Sequence, residues 1–442
     1  TDNEKRDIVK LIQENKDLPE KYRFLLFEKS RQVELLWNGK TDDVTNIDLP
    51  FQIIEQIDEP RTEKVKIAQG SLFGGSKDSG WTNKLIWGDN KYVLSSLKNG
   101  AMRNEIEKEG GIKLIYIDPP FDVGADFSMD VEIGNNSFEK NPNVLEHIAY
   151  RDTWGLGADS FLSMIYERLI LMRDLLAEDG TIYVHCDWRL NSHLRVILDE
   201  IFGKENFGNE IVWCYTGASN STKEFPRKHD NIFRYSKNKN QNIFNADDVR
   251  ISYSEKTKQN YDVGTSGSGF VGNKKRETLE KSILKSGKIP EDYWDLAIAA
   301  RFPVDGLKRV GYPTEKPYEL VERIIKASSN KGDIVCDFFA GGGITAAVSE
   351  NLGRKWICSD LGKFSIHTIR KRMIGIQRKL KKEEKNWRAF EILNLGKYQR
   401  QHFVYDGKTE RDEIKKTINK KKEKEFKNLI LSAYQATEVS GF

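Results

Sequence analysis

Apolar and polar positions alternate regularly along most of the chain, and the alternation predicts strands and helices in turn. The strands are predicted from short apolar runs bounded by polar or glycine residues, and the helices from apolar residues at 3.6-residue spacing. In chain order, the predicted strands lie at 84–87, 114–118, 181–187, 211–215, 333–337 and 355–360. Strands that alternate with helices predict an α/β fold with a parallel or mostly parallel sheet.

Breaks in this alternation divide the chain into five predicted parts. The start reads as helical and closes with a glycine-rich polar loop, and a long central stretch is basic, polar and aromatic, without regular alternation. The parts are an N-terminal helical extension (1–80), a first α/β half (81–215), an inserted domain (216–308), a second α/β half (309–380) and a basic C-terminal region (381–442).

Composition narrows the class of protein without fixing a function. The 442 residues carry a formal net charge of +4, and no apolar run approaches the roughly 18 residues of a membrane span. The four cysteines show no C-x-x-C spacing and the histidines no metal-ligand spacing, which predicts buried thiols, no metal site and a reducing, cytoplasmic location. We expect no membrane partner.

A glycine turn follows the strand predicted at 333–337. Gly341, Gly343 and Ala346 satisfy G-x-G-x-x-[G/A] between a strand and a helix, and Asp360 ends the next strand, where a ribose-binding carboxylate is expected. This pattern predicts a nucleoside cofactor, either a dinucleotide or S-adenosylmethionine. The alternative is a turn that serves only helix–strand packing.

A second turn leaves the strand at 114–118 through Asp118, Pro119, Pro120 and Phe121. Alone, it reads as a rigid corner, because the prolines fix two φ angles and remove two donors. In an open α/β sheet, ligands bind beyond the carboxyl ends of the strands, so both turns are predicted to line one crevice.

Together the two turns resemble those of the DNA amino-methyltransferases. The catalytic motif of that family, D-P-P-[YF], is matched by 118–121, and 312–317 resembles the segment that precedes the cofactor motif. The cofactor motif D-x-F-x-G-x-G is matched by Asp337, Phe339, Gly341 and Gly343. The catalytic motif comes first, then an insert, then the cofactor motif, which is the arrangement of the family's β group. The flanks resemble those of type III modification subunits. Within the cofactor motif, Phe338, Gly342 and Ile344 stand where family members often have Pro, Ser and Thr, respectively.

The resemblance implies a Rossmann-like S-adenosylmethionine-dependent methyltransferase sheet with an inserted target-recognition domain and helical flanks. The implied reaction is site-specific methyl transfer to the N6 amine of an adenine flipped out of duplex DNA. Asp118 and the Pro119 carbonyl would accept from the amine, while Pro120 completes the motif and Phe121 stacks on the base. Asp leads the motif where cytosine enzymes commonly have Ser, which favours adenine.

The resemblance also implies roles around the cofactor. Phe339 would pack near the adenine or the sulfonium, Asp360 would accept from the ribose, and Asp337 lies near the methionine amine. The remaining implied cofactor residues are Thr314, Lys316, Pro317, Ala340, Gly341 and Gly343.

Basic and aromatic residues are interleaved in the inserted domain and predict contact with DNA. They are Lys223, Arg227, Lys228, His229 and Arg234, with Phe225, Phe233 and Tyr235.

Four rival functions remain at this point: cytosine-N4 methylation, a non-catalytic DNA-binding subunit with the same fold, an RNA substrate, and an NAD-dependent enzyme. The candidate protein partners are a second copy of the chain and a restriction subunit.

Overall fold

The structure is a computed structural model. It describes residues 33–58, 81–120, 129–133, 136–140, 158–217, 222–253, 287–298 and 315–395, and helical positions 8, 10, 11 and 13. The chain divides into two compact units, Thr1–Leu36 and Trp37–Phe442. Phe121, Thr314, about half of the predicted insert and the end of the chain lie outside the described residues.

Within the described part of the second unit, ten strands form one sheet and two form a hairpin. The strands are β1 (Gln52–Ile57), β2 (Asn83–Trp87), β3 (Ile112–Ile117), β4 (Met129–Ile133), β5 (Asn136–Lys140), β6 (Leu176–Cys186), β7 (Phe207–Cys214), β8 (His229–Ser236), β9 (Tyr293–Asp295), β10 (Ile334–Asp337), β11 (Lys355–Asp360) and β12 (Phe390–Asn394). The helices are α1 (Asn90–Asn99), α2 (Met102–Lys108), α3 (Ala158–Leu175), α4 (Asn191–Phe202), α5 (Tyr318–Ser328), α6 (Ile344–Asn351) and α7 (Lys363–Lys382).

The sheet order is β1-β12-β2-β11-β10-β3-β6-β8-β7-β9, with β4 and β5 paired separately. The six consecutive strands β12, β2, β11, β10, β3 and β6 are parallel to one another. Strand β1 runs antiparallel to β12, and β8 runs antiparallel to both β6 and β7. This mostly parallel α/β sheet confirms the predicted fold class. Its central strands are nearly continuous apolar runs because both of their faces are covered.

Helices cover both faces of the sheet. Tyr183 donates or accepts a hydrogen bond of 2.8 Å with Ser328 of α5 on one face. Its neighbour Ile182 points to the other face, where its register partner Tyr235 donates a 2.6 Å hydrogen bond to Asp199 of α4. The core therefore lies in two apolar layers, one on each side of the sheet.

The strand order changes direction at β3 and β10. Strand β10 leads through α6 to β11 on one side, whereas β3 leads through α3 to β6 on the other side. The carboxyl ends of β3 and β10 therefore form the switch point at which open α/β sheets bind ligands.

Three parts of the chain differ from the sequence-based expectation. Strand β1 lies in the predicted helical extension, β8 and β9 lie in the predicted insert, and β12 lies in the predicted basic C-terminal region. All four belong to the large sheet, near or at its edges. Only β1 and β9 are edge strands, which are typically short and polar, so their apolar signal is weak. Strands β8 and β12 have neighbours on both sides, but both mix polar with apolar residues.

The strand assignment also corrects the predicted DNA-contacting set. Phe233 and Tyr235 are buried in β8, and Arg234 between them is buried as well. The guanidinium of Arg234 lies 4.9 Å from the centre of the Phe244 ring. These three residues are therefore part of the packed sheet, and the basic–aromatic pattern that suggested DNA contact arises here from an antiparallel strand.

Glu350 of α6 links the neighbouring strands β2 and β11 and the segment that precedes β12. Its carboxylate accepts hydrogen bonds from Asn83 Nδ2 (2.8 Å), Trp356 Nε1 (3.0 Å) and the Arg388 backbone N–H (2.7 Å). Burial raises the pKa of Glu350, although these donors oppose the shift. The buried carboxylate therefore explains why the segment before β12 returns to the sheet.

We expect Glu350→Ala to lower the free energy of unfolding by about 3 kcal/mol, because three buried donors lose their acceptor. Urea titration of both proteins measures this difference. Glu178→Ala, which removes an exposed carboxylate near Lys237 of the same sheet, serves as the control and should cost under about 0.5 kcal/mol. Equal losses in the two variants would contradict the role given to Glu350.

Candidate functional site

Asp118 follows β3 directly and lies at the carboxyl edge of the sheet. Its Oδ2 is 2.6 Å from Nζ of Lys316, and both side chains are largely buried. Pro119 is buried and Pro120 half-buried. The sequence suggested Lys316 as a cofactor residue, whereas the structure pairs it with the carboxylate of the D-P-P-F motif.

Lys316 is fixed through the residue before it. Glu315 forms a buried ion pair with Arg372 of α7, and Arg372 also donates a 2.5 Å hydrogen bond to the carbonyl of Gly342. Pro317 has an extended backbone and precedes α5, so it directs the chain into that helix. The glycine turn and the lysine beside Asp118 are thus tied to one arginine. Arg372 lies in a run of basic residues, and its spacing gave no sign of this contact.

Asp337 ends β10 and organises the glycine turn from within. Its Oδ1 accepts from the Phe339 backbone N–H at 3.0 Å, and its Oδ2 accepts from Thr345 Oγ1 at 2.6 Å. Burial raises the pKa of Asp337 to about 7, with smaller contributions from Asp118 and Asp360, while the two donors oppose the shift. Thr345 therefore supplies a hydroxyl contact one residue after Ile344, where the usual motif threonine is missing.

Asp360 ends β11 and faces the same turn. One of its carboxylate oxygens accepts from the Gly341 N–H and the other from the Gly362 N–H, each at 2.8 Å. Gly343 has a φ of +75°, and a Cβ there would lie 2.6 Å from Ile369 Cγ1. A residue with a side chain at 343 would therefore be strained and would collide with α7.

A turn that the sequence left unassigned also supports the glycine turn. Asn90, the first residue of α1, donates a 2.9 Å hydrogen bond from Nδ2 to the carbonyl of Phe338. Arg168 of α3 donates to Asn90 Oδ1 and, at 2.8 Å, to Asp89 Oδ1. The sequence gave no sign of this contact, because Asn90 and Phe338 lie far apart along the chain.

A buried polar chain runs beneath Asp118. The Tyr116 hydroxyl lies 3.0 Å from His185 Nδ1, and His185 Nε2 lies 3.2 Å from Asp230 Oδ2. Tyr215 donates to Asp230 Oδ1 at 3.3 Å. Burial opposes ionisation of Asp230, but His185 and the nearby Lys316 lower its pKa overall. This chain connects β3, β6 and β8 with the residue that follows β7.

The structure brings together the predicted residues that it describes. The turns after β3, β10 and β11 lie side by side at one sheet edge, with the segment before α5 beside them. Phe339 is half-buried, and Ala340 is buried. Phe121 and Thr314 are outside the described residues, so their placement stays a prediction. Among the described helices, none has the length and apolar character that would let it cross a membrane. The described residues also contain no cluster of three or more metal-ligating side chains.

The raised pKa of Asp337 predicts the direction in which stability changes with pH. Because its folded-state pKa of about 7 exceeds the ordinary value of 3.8, the folded protein binds the extra proton between these values. The contribution of Asp337 to stability should therefore fall as the pH rises through this window, by up to about 1.4 kcal/mol per pH unit. Asp337→Asn, which has no titrating proton, should lack this fall.

Urea unfolding of both proteins at a series of pH values tests this expectation. All other carboxyl groups titrate in both proteins, so their contributions cancel in the difference between the two stabilities. That difference should change in favour of the asparagine variant as the pH rises towards 7. Parallel stability curves would show that folding does not raise the pKa of Asp337.

Comparison with known proteins assigns a family to this arrangement. The family model N6_N4_Mtase, described as DNA methylase, matches residues 112–371. The type II methyltransferase M.EcaI of Enterobacter cloacae is 31% identical over 380 residues, covering 74% of this chain and 77% of the relative. The EcoP15I Mod subunit of Escherichia coli, a type III restriction-modification enzyme, is 33% identical over 171 residues, covering 36% of this chain and 25% of the relative.

Two further similarities are to another relative and to a solved structure. The DNA adenine methyltransferase YhdJ of Escherichia coli K12 is 25% identical over 249 residues, covering 56% of this chain and 70% of the relative. Among solved structures, the cytosine-N4-specific PvuII DNA methyltransferase aligns with a TM-score of 0.41 at 16% identity, covering 68% of this chain and 93% of that chain.

Proposed function

The chain belongs to the N6_N4_Mtase family of DNA methylases, and we propose that it transfers a methyl group from S-adenosylmethionine to the N6 amine of adenine in duplex DNA. One observation carries the proposal. The Asp118 carboxylate, fixed by Lys316 at 2.6 Å, lies at the switch point beside a glycine turn held by Asp337 and Asp360. A carboxylate for an amine substrate and a turn for a nucleoside cofactor therefore share one crevice.

The proposed role of Asp118 follows from the chemistry of the amine. The lone pair of an exocyclic base amine is delocalised into the ring, so the nitrogen is a poor nucleophile. Two acceptors directed at its two hydrogens favour a pyramidal nitrogen with the lone pair free. The Asp118 carboxylate and the Pro119 carbonyl supply such a pair, because the proline ring restricts the backbone that carries the second acceptor. The resulting alignment is a proximity effect.

The residues of the glycine turn fit S-adenosylmethionine, which supplies the methyl group when bound. Asp360 is half-exposed at the end of β11 and can accept from ribose hydroxyls in addition to the two backbone N–H groups. Phe339 offers a half-buried aromatic face beside the turn. Gly341 has a φ of +49°, and neither it nor Gly343 places a side chain between the backbone and a ligand. Asp337 contributes indirectly, because its hydrogen bonds with the Phe339 N–H and the Thr345 hydroxyl fix the conformation of the turn.

Adenine is favoured over cytosine because an aspartate leads the catalytic motif. The family model covers both amines by its name, and among the relatives YhdJ is named an adenine methyltransferase. Family membership also favours methyl transfer to DNA over the NAD-dependent and RNA-directed rivals. The similarity to type III Mod subunits supports a restriction subunit as a candidate partner, while a homodimer and a cytoplasmic location stay predictions.

We expect Asp118→Ala to lower methyl transfer to duplex DNA at least about a hundredfold, because it removes one acceptor for the target amine. Incorporation of radiolabelled methyl groups measures the rate, and calorimetric binding of S-adenosylmethionine should remain. Asp179→Ala is the matched control, since Asp179 pairs with Lys113 at 2.6 Å near the opposite end of β3. Full activity of Asp118→Ala, or an equal loss in both variants, would refute the role of Asp118. DNA binding without methyl transfer by the wild-type protein would instead favour the non-catalytic DNA-binding subunit.

The target base has its own test. DNA methylated by the purified protein is digested to nucleosides and analysed by mass spectrometry, with DNA from cells lacking both modifications as the substrate. We expect N6-methyladenine, and its amount should fall with Asp118→Ala. A product containing only N4-methylcytosine would overturn the adenine assignment and leave the DNA methyltransferase activity intact.

A further inference from the structure

A tight turn after β6 holds the side chains of Trp188 and Arg189 at the protein surface. Asp187 and Leu190 are buried at the ends of this turn, and the Asp187 carboxylate accepts from the Arg189 backbone N–H at 2.9 Å. Between them, Trp188 is 40% exposed. Leu190 leads directly into α4. The turn is therefore fixed at both ends, and the exposure of the indole is imposed by the backbone.

Two guanidinium groups flank the Trp188 ring. The Arg189 guanidinium lies 5.1 Å from the ring centre, and that of Arg227 lies 4.2 Å from it. Arg227 comes from the segment just before β8, where Phe225 is 96% exposed. We call Trp188, Arg189, Phe225 and Arg227 the cationic–aromatic patch. The quadrupole of the indole attracts each guanidinium to the ring, and this attraction holds both arginines beside Trp188.

The cationic–aromatic patch lies at the same sheet edge as Asp118. Strands β3 and β6 are parallel neighbours in which Ile117 pairs with Val184, so Asp118 is level with the residue after Val184. Trp188 is three residues further along the chain, in the turn after β6, so chain length places it at most about 10 Å beyond that level. Successive nucleotides of one DNA strand are about 3.4 Å apart, so the patch is within about three nucleotides of Asp118.

The charges of the patch favour a nucleic-acid strand as its occupant. Four cationic residues lie in the patch and at its border, where Arg189 pairs with Asp187 and Arg227 pairs with Glu224. Those cationic residues are Arg189, Lys223, Arg227 and Lys228. Arg227 pairs with Glu224 at 2.7 Å, and both side chains are exposed, so phosphate can compete for the guanidinium at low cost. An exposed indole between guanidinium groups offers a stacking face together with backbone contacts.

From these contacts we infer that the cationic–aromatic patch binds the DNA strand next to the target adenine, an inference that rests on the proposed function. Trp188 stacks on a base or sugar exposed when the target base leaves the duplex, and the guanidinium groups of Arg189 and Arg227 contact neighbouring phosphates. The chain thereby holds the strand on the β6 side of the crevice while Asp118 and Pro119 receive the flipped base.

The test compares DNA binding by Trp188→Ala and Phe244→Ala in the full chain. Phe244 is a matched control because it is 44% exposed, also faces a guanidinium, that of Arg234 at 4.9 Å, and follows a residue bonded to the Asp179 carbonyl at the other edge of the sheet. Fluorescence anisotropy with a labelled mixed-sequence duplex gives the dissociation constant with S-adenosylmethionine present. We expect about tenfold weaker binding for Trp188→Ala and no change for Phe244→Ala.

Arg227→Gln supplies a second measurement that does not depend on the indole. The slope of log K against log salt concentration should fall in magnitude by about 0.9 if one phosphate contact is lost. Unchanged affinity in Trp188→Ala together with an unchanged salt slope in Arg227→Gln would overturn the inference. So would equal weakening by Phe244→Ala, or a preference of the same surface for single-stranded RNA over duplex DNA.

Methylation assays separate this inference from the proposed function. If wild-type protein methylates duplex DNA and the patch variants bind as the wild type does, only the patch assignment is wrong. If wild-type protein neither binds nor methylates DNA, the proposed function and the patch assignment both fail. Calorimetric binding of S-adenosylmethionine to each variant shows that the cofactor half remains folded, so a loss confined to DNA supports the patch.

Discussion

The parallel pairing of β3 with β10 is the contact on which the rest of the site depends. It joins Leu114 to Val335 in register across a long intervening stretch of chain. Because the strands that follow β3 and β10 lie on opposite sides, their connecting segments diverge and leave a crevice at the carboxyl edge. Asp118 and Asp337 end on that edge as a direct result. A shift of one residue in the register would turn one of these carboxylates to the other face of the sheet.

Three carboxylates share this edge, and the protein stabilises each by a different means. Asp118 has the Lys316 ammonium, Asp360 has two backbone N–H groups, and Asp337 is buried with a pKa raised to about 7. The means differ because like charges that are close together in a low dielectric repel strongly. The Glu315–Arg372 ion pair adds a mechanical link, since its arginine also holds the Gly342 carbonyl. The glycine turn and the segment that carries Lys316 to Asp118 are therefore held by the same arginine.

The sequence predicts the parts of this protein whose signal is local. Continuous apolar runs predicted β3, β6, β10 and β11 and with them the α/β fold, and the comparisons confirm the family that the two motifs indicated. Strands β1, β8 and β12 were missed because each of them mixes polar and apolar residues over a short span. The partners of the motif residues were also missed. Asn90, Arg168, His185 and Arg372 act through single contacts with distant parts of the chain, and one arginine or histidine has no periodicity that marks it.

Strand β8 anchors part of the central stretch of the chain, the predicted insert, in the large sheet. A strand lying between β6 and β7 cannot leave the sheet without exposing both of its neighbours, so the segments before and after it are anchored at their bases. The segment that precedes β8 therefore carries Arg227 to the Trp188 ring with one end fixed, and the turn after β6 carries Trp188 with both ends fixed. A surface assembled from anchored turns loses little conformational entropy when a ligand binds, since its side chains already hold one another. The same sheet that aligns Asp118 with the glycine turn thus also organises the surface beside it.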